Sequence, residues 1–241
     1  MNSMDSILKK QTSKKDWVHE SRFGRWFLST NIWFQYVLSE AFFDLKQLLK
    51  NRLSGTHCIL DAGCGQGLAF ALLEQHFQPK TIIGVDIDKE EISLASEAAK
   101  RCTCEVEFKN STVCNLNIPG SSIDMIFCHQ LIHHISDQST ALEEFYRILV
   151  PGGLILIGES CRSFINSFSV RLLFRHPLQV QKTADEYVEL IKSIGFKIND
   201  NDIKTSRPWW SRKDFGLTEK IGLPQNRQEP TEILIIASKP N

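Results

Sequence analysis

An apolar strand that runs directly into a glycine-rich bend is the feature that most constrains how this chain can fold. The strand, at 58–60, is followed by Asp61 and then by three glycines two residues apart, Gly63, Gly65 and Gly67. Glycine at alternate positions permits a tight turn and a close approach of the backbone to a ligand. A helix predicted over 68–75 points its free N–H groups and positive dipole end into the bend. The segment therefore predicts a strand, a bend and a helix around a gap that suits an anion.

A second apolar run ends in an acidic residue further along the chain. The segment Val85-Asp86-Ile87-Asp88 closes this run. Ligands of open parallel sheets bind beyond the carboxyl ends of the strands, so Asp86 is expected beside the glycine bend. A carboxylate in that position hydrogen-bonds the hydroxyl groups of a ribose. The two segments together predict a binding site for a nucleoside.

The spacing of the glycines distinguishes between two kinds of nucleoside ligand. The dinucleotide motif G-x-G-x-x-G requires its third glycine at position 68. That position is Leu68, and the third glycine is Gly67. Asp61 precedes the bend, where a carboxylate suits a ligand that carries an ammonium group, while the ligand's own carboxylate meets the helix N-terminus. A nicotinamide-dependent (NAD) oxidoreductase is therefore the less favoured alternative.

Taken with the preceding strand, Asp61 and Asp86, the bend resembles that of the class I S-adenosylmethionine-dependent methyltransferases, especially the small-molecule group that includes quinone-biosynthesis enzymes. The resemblance covers roughly residues 55–160. Four further segments match: the fourth strand at 122–129, its continuation at 131–135, a helix and turn at 145–153, and the fifth strand at 154–157. The resemblance implies an α/β fold with a Rossmann-like, seven-stranded, mostly parallel sheet, a C-terminal antiparallel hairpin and helices on both faces.

The resemblance also implies S-adenosyl-L-methionine as the cofactor and assigns residues to it. The bend would surround the methionine part, Asp86 would bind both ribose hydroxyls, and Ile87 would lie against the adenine. The implied cofactor-binding positions are Asp61, Gly63, Cys64, Gly65, Gly67, Asp86, Ile87, Ser111, Thr112, Cys128 and His129. One departure lies in the adenine corner, where the family often has Gly-Asp-Ala and this chain has Asn110-Ser111-Thr112. A hydroxyl or main-chain group is expected to replace the missing acid.

Composition and charge argue against several other classes of protein. The 241 residues are 42% hydrophobic, enough for a buried core, and the formal net charge is zero. Nucleic-acid binding requires clustered basic charge, so no nucleic-acid partner is predicted. The Asn/Asp-Pro-Pro-aromatic motif typical of base-amino methyltransferases is also absent after the fourth strand, where His129-Gln130 stands. No apolar run is long enough for a signal peptide or a membrane span, which predicts a cytoplasmic protein without stable membrane insertion.

Cysteines and histidines are the candidate metal ligands of the sequence. The seven cysteines are an odd number, scattered through predicted strands and loops, which is typical of the reduced thiols of a cytosolic protein. Cys102-Thr103-Cys104 suggests a metal or redox pair, but no matching pair of histidines or cysteines stands at ligand spacing. The pair His133-His134 likewise lacks a third ligand at a suitable spacing. No metal site is predicted.

Strands and helices alternate from Ile82 onward, which indicates a parallel sheet covered on both faces. Gly195 is a plausible cap for the last helix. The predicted elements are strands at 82–87, 105–109, 123–128, 154–158, 196–204 and 231–238, and helices at 89–101, 138–149 and 183–194.

The chain is divided into an N-terminal helical cap, 1–54, and a methyltransferase domain, 55–241, with lid insertions near 160–182 and 207–230. The aromatic-rich stretch 17–53 predicts two amphipathic helices that pack on the domain, and closure over the cofactor is a compatible second role. Residues 160–184 lack Asp and Glu but mix arginines with apolar residues. They predict either a lid with a solvated basic face or a pocket for an apolar substrate with an anionic group, with transient contact to anionic lipid.

Two further residues of the second insertion are notable, because Trp209 and Trp210 stand side by side in a connection. Tryptophan area favours burial, so one of the pair is a candidate for lining the substrate cavity.

Methyl transfer from a sulfonium needs no acid, because the leaving group is a neutral thioether. Alignment of the nucleophile, methyl group and sulfur is the main contribution of the protein. A base is needed only when the nucleophile must lose a proton, and the candidates are His129, His133, His134 and Glu159. His129 is the first choice because it follows the fourth strand and an imidazole titrates near neutrality.

The leading functional prediction is an S-adenosylmethionine-dependent methyltransferase that acts on a small, partly apolar metabolite, with an oxygen or carbon acceptor left open. The alternative is a non-catalytic S-adenosylmethionine-binding or partner subunit, because the cofactor bend can persist after a substrate site is lost.

Overall fold

Seven strands form a single sheet in the order β3-β2-β1-β4-β5-β7-β6. The computed structural model describes residues 20–50, 52, 55–212 and 229–241. Strands β1 to β5 pair in parallel with one another, whereas β7 runs antiparallel to both β5 and β6. The strands are β1 Cys58–Ala62, β2 Thr81–Asp86, β3 Glu105–Asn110, β4 Ile123–His129, β5 Leu149–Ser160, β6 Ile203–Ser206 and β7 Glu232–Ser238. The predicted fold class, including the C-terminal antiparallel pair, is confirmed.

Helices cover both faces of this sheet. A π-helix, Phe34–Ser39, joins α2 to α3, so that 31–49 is one continuous helical segment. The α-helices are α1 Arg22–Leu28, α2 Asn31–Trp33, α3 Glu40–Leu49, α4 Phe70–Phe77, α5 Lys89–Ala99, α6 Gln138–Ile148, α7 Arg162–Ile165, α8 Phe168–Leu173 and α9 Ala184–Ser193. Short 3-10 turns lie at Ile132–His134, Leu178–Val180, Asp200–Asp202 and Trp209–Ser211.

The apolar core is divided by the sheet into two layers. Along β4 successive side chains alternate between them, since Ile126 packs with the layer under α6 and α9, and Phe127 packs with the layer under α3 and α4. Tyr187 of α9 and Phe42 of α3 are fully buried, one in each layer. Strands covered on both faces read as continuous apolar runs, which explains why the sequence pattern located them well.

The predicted elements between 82 and 149 lie within two residues of the observed ones. The predicted bounds of one strand and one helix are wrong. The strand predicted at 154–158 extends over Leu149–Ser160, because Pro151-Gly152-Gly153, predicted to be a turn, forms an irregular start where the pairing with β4 shifts register. The helix predicted over 68–75 begins at Phe70, since Gly67 and Leu68 still belong to the bend.

The strand predicted at 196–204 is also wrong. Pairing with β7 is confined to Ile203–Ser206 and an isolated bridge between Lys197 and Ser238. Between them the chain forms a 3-10 turn in which the Asp202 carboxylate accepts a 2.7 Å hydrogen bond from Asn199 and binds Arg52. Local hydrogen bonds and an ion pair of the side chains therefore replace β-strand pairing over these residues.

The N-terminal stretch forms the two helical segments that were predicted, at 22–28 and 31–49. The second packs on the sheet, where the Phe42 ring lies 5.8 Å from that of Phe127. Trp17 and residues 213–228, which hold most of the insertion predicted near 207–230, lie outside the described residues. No helix among the described residues is both long and apolar enough to cross a lipid bilayer.

Candidate functional site

The glycine bend and the acid after β2 meet at the carboxyl edge of the sheet. The N–H of Gly65 donates to Oδ2 of Asp86 at 2.9 Å, and the N–H of Cys64 donates to the Val85 carbonyl at 2.9 Å. Oδ1 of Asp86 accepts a bond from the Asp88 N–H at 2.9 Å. Burial raises the pKa of Asp86. The bend and the predicted ribose acid therefore form one structural unit.

The three glycines of the bend serve different purposes. A Cβ built on Gly65 meets no protein atom within 4 Å, and its φ is +49°. A Cβ on Gly63 would lie 2.7 Å from the Leu131 side chain, and one on Gly67 would lie 2.6 Å from the Phe70 ring. Gly63 and Gly67 are thus required by packing, whereas Gly65 borders open space that a ligand can occupy.

Asp61 is a buried carboxyl group at the end of β1. It is 3% exposed, and its Oδ2 has no hydrogen-bond partner in the described part of the chain. Burial, with a smaller contribution from the Asp86 carboxylate, raises the pKa of Asp61 to about 8. A buried carboxylate without a partner is costly, so the site favours a cationic group placed against it.

The start of α4 follows the same bend directly along the chain. Its N-cap residue is Ala69, which provides no side-chain hydrogen bond to the first turn. Free N–H groups at a helix N-terminus attract carboxylates and phosphates. The first turn of α4 has no side-chain cap that would compete with an anion for its N–H groups.

The predicted adenine corner differs from the family pattern, and the Asn110 side chain forms hydrogen bonds there with two main-chain carbonyls. The Asn110 amide donates to the carbonyls of Asp86 and Ile87, at 3.0 and 2.9 Å. The Ile87 side chain is 41% exposed beside it. Oγ of Ser111 is buried and has no partner among the described residues, whereas Oγ1 of Thr112 accepts from the Cys114 N–H. Ser111 is the group in this corner with an unused hydrogen-bonding capacity.

The two cysteines of the predicted cofactor set are buried. Cys128 is fully buried in one core layer and Cys64 packs in the other. Burial raises the pKa of both thiols well above the ordinary value. Any contact of these two residues with a ligand falls to their main-chain atoms.

His129 is placed at the end of β4 as predicted, but the prediction that it titrates near neutrality is wrong. Burial, with a smaller effect of the His133 charge, lowers the pKa of His129 to about 3. Both ring nitrogens lack partners in the part of the chain that is described. The ring lies between Phe127 and Trp33, with centroid distances of 6.0 and 5.8 Å. The imidazole is thus neutral and a weak proton acceptor.

The other candidate bases form a pair. Oε2 of Glu159 accepts a 2.6 Å hydrogen bond from Nδ1 of His133, and Oε1 accepts from the N–H groups of Leu131 and Ile132 at 2.9 and 2.7 Å. Glu159 is fully buried. This carboxylate holds the turn Ile132–His134 at the end of β4.

The sequence shows no third histidine at ligand spacing from His133 and His134, but the fold brings one close to them. His176, which follows α8, brings a ring nitrogen to the pair, and the three ligand atoms lie within 4.8 Å of one another. The sequence could not indicate this contact, because His176 is far from the pair along the chain.

The N-terminal and lid segments meet over this edge of the sheet. The Phe174 ring lies 5.7 Å from Phe23 and 5.8 Å from Phe27. The N–H of Arg175 donates to the Glu20 carboxylate at 3.0 Å. The predicted site residues did not include Phe174 or Trp33, whose ring contacts His129. The only sequence feature that pointed to them was the aromatic richness of their segments.

Residues 60–157 match the model of a protein family described as "Methyltransferase domain". The matched segment contains the bend, Asp86 and β4. This segment of the chain is similar to the methyltransferase-domain family. Phosphoethanolamine N-methyltransferase 1 of Arabidopsis thaliana is 28% identical over 182 residues, 76% of this chain and 32% of that protein. A probable S-adenosylmethionine-dependent methyltransferase of Mycolicibacterium smegmatis is 28% identical over 162 residues, 64% of this chain and 57% of that protein.

Solved structures have the same fold as this chain. A methyltransferase from Mesorhizobium loti aligns with a TM-score of 0.61 at 15% identity, covering 81% of this chain and 96% of that one. The cyclase SpnF aligns with a TM-score of 0.63 at 19% identity, covering 83% and 80%. The chain spans about a third of the length of the plant relatives that it matches.

The residues present fit the family cofactor. S-adenosylmethionine carries an ammonium group, a carboxylate and a ribose diol. Asp61 offers the buried unpartnered acid, the N-terminus of α4 offers free N–H groups, and Asp86 offers carboxylate oxygens beside an unfilled space at Gly65.

Proposed function

We propose that this protein transfers a methyl group from S-adenosylmethionine to a small, partly apolar metabolite. The observation that carries the proposal is the buried Asp61 carboxyl, without a partner among the described residues, at the start of the bend that contains the open position Gly65. The ammonium group of an amino-acid ligand, placed against this acid, would offset the cost of burying an unpaired carboxylate. No feature of a nicotinamide site requires that acid.

Each binding group is assigned to one part of S-adenosylmethionine. Asp61 holds the ammonium, the first turn of α4 holds the carboxylate, and Asp86 holds the ribose hydroxyls. Ile87 packs against the adenine, and the Ser111 hydroxyl takes over the hydrogen bond of the missing acid. S-adenosylmethionine, when bound, supplies an electrophilic methyl group on a sulfonium. The protein's remaining contribution is to orient the acceptor and to exclude water.

We assign the enclosure of the site to the helical cap (1–54) and the lid insertion (160–182). The contacts of Phe174 with Phe23 and Phe27 support a shared closing surface, as does the bond from Ser21 Oγ to the Leu173 carbonyl at 2.5 Å. The second insertion (207–230) contributes Trp209, whose ring lies 5.6 Å from Tyr36 of the cap. The cap therefore contacts both insertions.

The names of the plant relatives support a substrate with an anionic group, whereas the charges that line the cleft beside the cap are balanced. A cleft of about 500 Å³ lies between the cap and the start of α5. Arg22, Arg25 and Arg175 line it together with three acids, and Arg25 is paired with Glu90 at 2.9 Å. The plant relatives are named for phosphoethanolamine, a small anionic substrate with a nitrogen acceptor. All seven cysteines lack disulfide bonds, which supports a reducing compartment.

His129 is proposed to position the acceptor and not to remove a proton from it. Its pKa of about 3 makes it a poor proton acceptor at neutral pH. An amine acceptor that is already unprotonated, or a carbon nucleophile activated elsewhere, needs no base of its own. Glu159 is tied to three donors of the β4 turn, so it serves that turn and not proton transfer.

The alternative function is a non-catalytic cofactor-binding or partner subunit. The low basicity of His129 favours it, because the site then lacks a poised general base. The cyclase SpnF has the same fold, so the fold is also found in proteins that are not named as methyltransferases.

The test has two stages. Calorimetric titration with S-adenosylmethionine and with S-adenosylhomocysteine measures binding to the full chain, with the nicotinamide cofactors as a comparison. Metabolite extracts and phosphoethanolamine are then incubated with a methyl donor carrying an isotope label, and products are identified by mass spectrometry. Expected results are a saturable adenosyl ligand and a labelled small molecule.

The outcomes separate the alternatives. Binding followed by label transfer supports the proposal. Binding with no labelled product from any extract favours the partner-subunit alternative. A folded protein that takes up neither adenosyl ligand contradicts both.

A further inference from the structure

Three histidines from two separate segments converge beside the lid. His133 and His134 lie in the turn after β4, and His176 lies between α8 and the 3-10 turn Leu178–Val180. Their ring centroids are 4.3 to 5.1 Å apart, and one nitrogen of each ring lies within 4.8 Å of the others. Tetrahedral coordination at metal–nitrogen distances of roughly 2.0–2.1 Å places neighbouring nitrogens roughly 3.4 Å apart, so modest rotations of the rings complete such a site.

The backbones that carry the three rings are tied together. Nε2 of Gln181 donates to the carbonyls of His133 and Pro177, both at 2.8 Å. Nε2 of Gln138 donates to the carbonyls of Ile132 and Val180, at 3.0 and 3.2 Å. Both amides thus bridge the β4 turn to the lid segment, so the approach of His176 to the pair is supported by buried hydrogen bonds.

One of the three rings already has the partner that metal-binding histidines require. Nδ1 of His133 is 2.6 Å from Oε2 of Glu159, and both side chains are almost fully buried. Oε1 of this carboxylate accepts two main-chain N–H groups, which leaves Oε2 as the acceptor for a proton on Nδ1. The lone pair of His133 is therefore on Nε2. Carboxylate–histidine–metal arrangements fix the tautomer and raise the basicity of the ligand in this way.

We infer that His133, His134 and His176 bind a divalent transition-metal ion such as Zn²⁺ through three imidazole nitrogens. Imidazole is a suitable ligand for Zn²⁺, Co²⁺, Ni²⁺ and Cu²⁺. Since His176 belongs to the lid and the other two to the sheet edge, the ion would clip the lid to the β4 turn. The inference does not depend on the proposed methyl transfer.

The direct test uses the full-length protein after treatment with a chelator. Co²⁺ is added and its visible d–d absorption is recorded, and Zn²⁺ affinity is measured by competition with a chromophoric chelator. One ion per chain is expected. His176→Asn should weaken the affinity by about 10-fold or more, because one of three protein ligands is lost. His57→Asn, an exposed histidine before β1, is the matched control and should bind as the parent does.

Thiols are the competing source of a metal signal. Cys102→Ser combined with Cys104→Ser should leave the affinity unchanged, and the Co²⁺ spectrum should lack a thiolate charge-transfer band. Equal affinity of the His176→Asn variant, or a loss of binding in the cysteine variant, overturns the inference.

Glu159→Gln tests the positioning role of the carboxylate. The glutamine oxygen still accepts the N–H groups of Leu131 and Ile132, but its NH₂ then faces Nδ1 of His133. The ring must take the opposite tautomer, with its proton on Nε2, where the metal should bind. A 10- to 100-fold loss of metal affinity with unchanged circular dichroism is expected. Parent-like affinity in this variant would remove Glu159 from the site, and S-adenosylhomocysteine affinity measured alongside keeps the result separate from the proposed function.

Discussion

The main-chain N–H of Gly65 donates a 2.9 Å hydrogen bond to the carboxylate of Asp86. This bond joins the bend after β1 to the end of β2, across neighbouring parallel strands. The acid proposed to bind the ribose therefore also holds the bend that is proposed to face the methionine part. A substitution at either residue is expected to disturb both halves of the ligand site.

Asp86→Ala should weaken S-adenosylhomocysteine binding by roughly ten- to a hundredfold, since a hydrogen bond to a charged group contributes about 1.5–3 kcal/mol. Calorimetry measures the change. The two roles of the carboxylate are separated by titrating both the parent and the variant with S-adenosylhomocysteine and with its 3′-deoxyribose analogue. If Asp86 binds the sugar, the substitution costs less affinity for the deoxy ligand than for the parent ligand. Equal losses would show that it acts only through the bend.

Gly65→Val should reduce cofactor affinity by at least about a hundredfold, roughly 2.8 kcal/mol. The valine side chain would fill space that holds no protein atom within 4 Å of a Cβ at this position. Gly55→Val is the matched control, because Gly55 has a φ of +74° and an equally open surrounding but lies before β1. Both variants carry the same kind of backbone strain. Parent-like affinity of the Gly65 variant would exclude a ligand from the bend.

Cofactor binding at pH 7 should release close to one proton. The pKa of Asp61 is about 8 in the free protein, so the carboxyl is mostly protonated at pH 7. An ammonium placed against it lowers that pKa and expels the proton. Calorimetry in buffers of different ionisation enthalpy measures the release, and Asp61→Asn should abolish it. Binding without proton release would place the ammonium elsewhere.

Asp61 should also affect stability in a defined direction. Its folded pKa lies above the unfolded value of about 3.9, so the unfolded chain binds fewer protons between pH 4 and 8, and stability falls as pH rises through this window. The melting temperature of Asp61→Asn minus that of the parent should therefore increase from pH 5 to pH 8. A constant difference over this range would contradict the raised pKa.

His129 should have the opposite pH signature. Its folded pKa of about 3 lies below the unfolded value of about 6.5, so the unfolded chain binds more protons between pH 3 and 6.5. Stability is lost as the pH falls through this window, and His129→Gln should lessen the loss. Thermal unfolding between pH 4.5 and 7.5 measures it. If the imidazole were solvated, parent and variant would lose stability in parallel.

Much of the fold was predictable because its strands are continuous apolar runs between helices of regular period. β2, β3 and β4 were located within one residue of their observed bounds. Failures occurred where local polar bonds or register shifts compete with the pattern. The Asn199–Asp202 turn replaced a predicted strand, and Pro151-Gly152-Gly153 joined a strand where a turn was predicted.

The sequence by itself determined the residues of the cofactor bend, because Asp61, the glycines and Asp86 belong to short motifs whose spacing has a direct steric meaning. Tertiary structure alone decided the surroundings of the histidines. Burial of His129 removed its basicity, and folding of the lid brought His176 to His133 and His134. Desolvation and long-range contacts depend on how distant segments pack together, and no local pattern of residues encodes either of them.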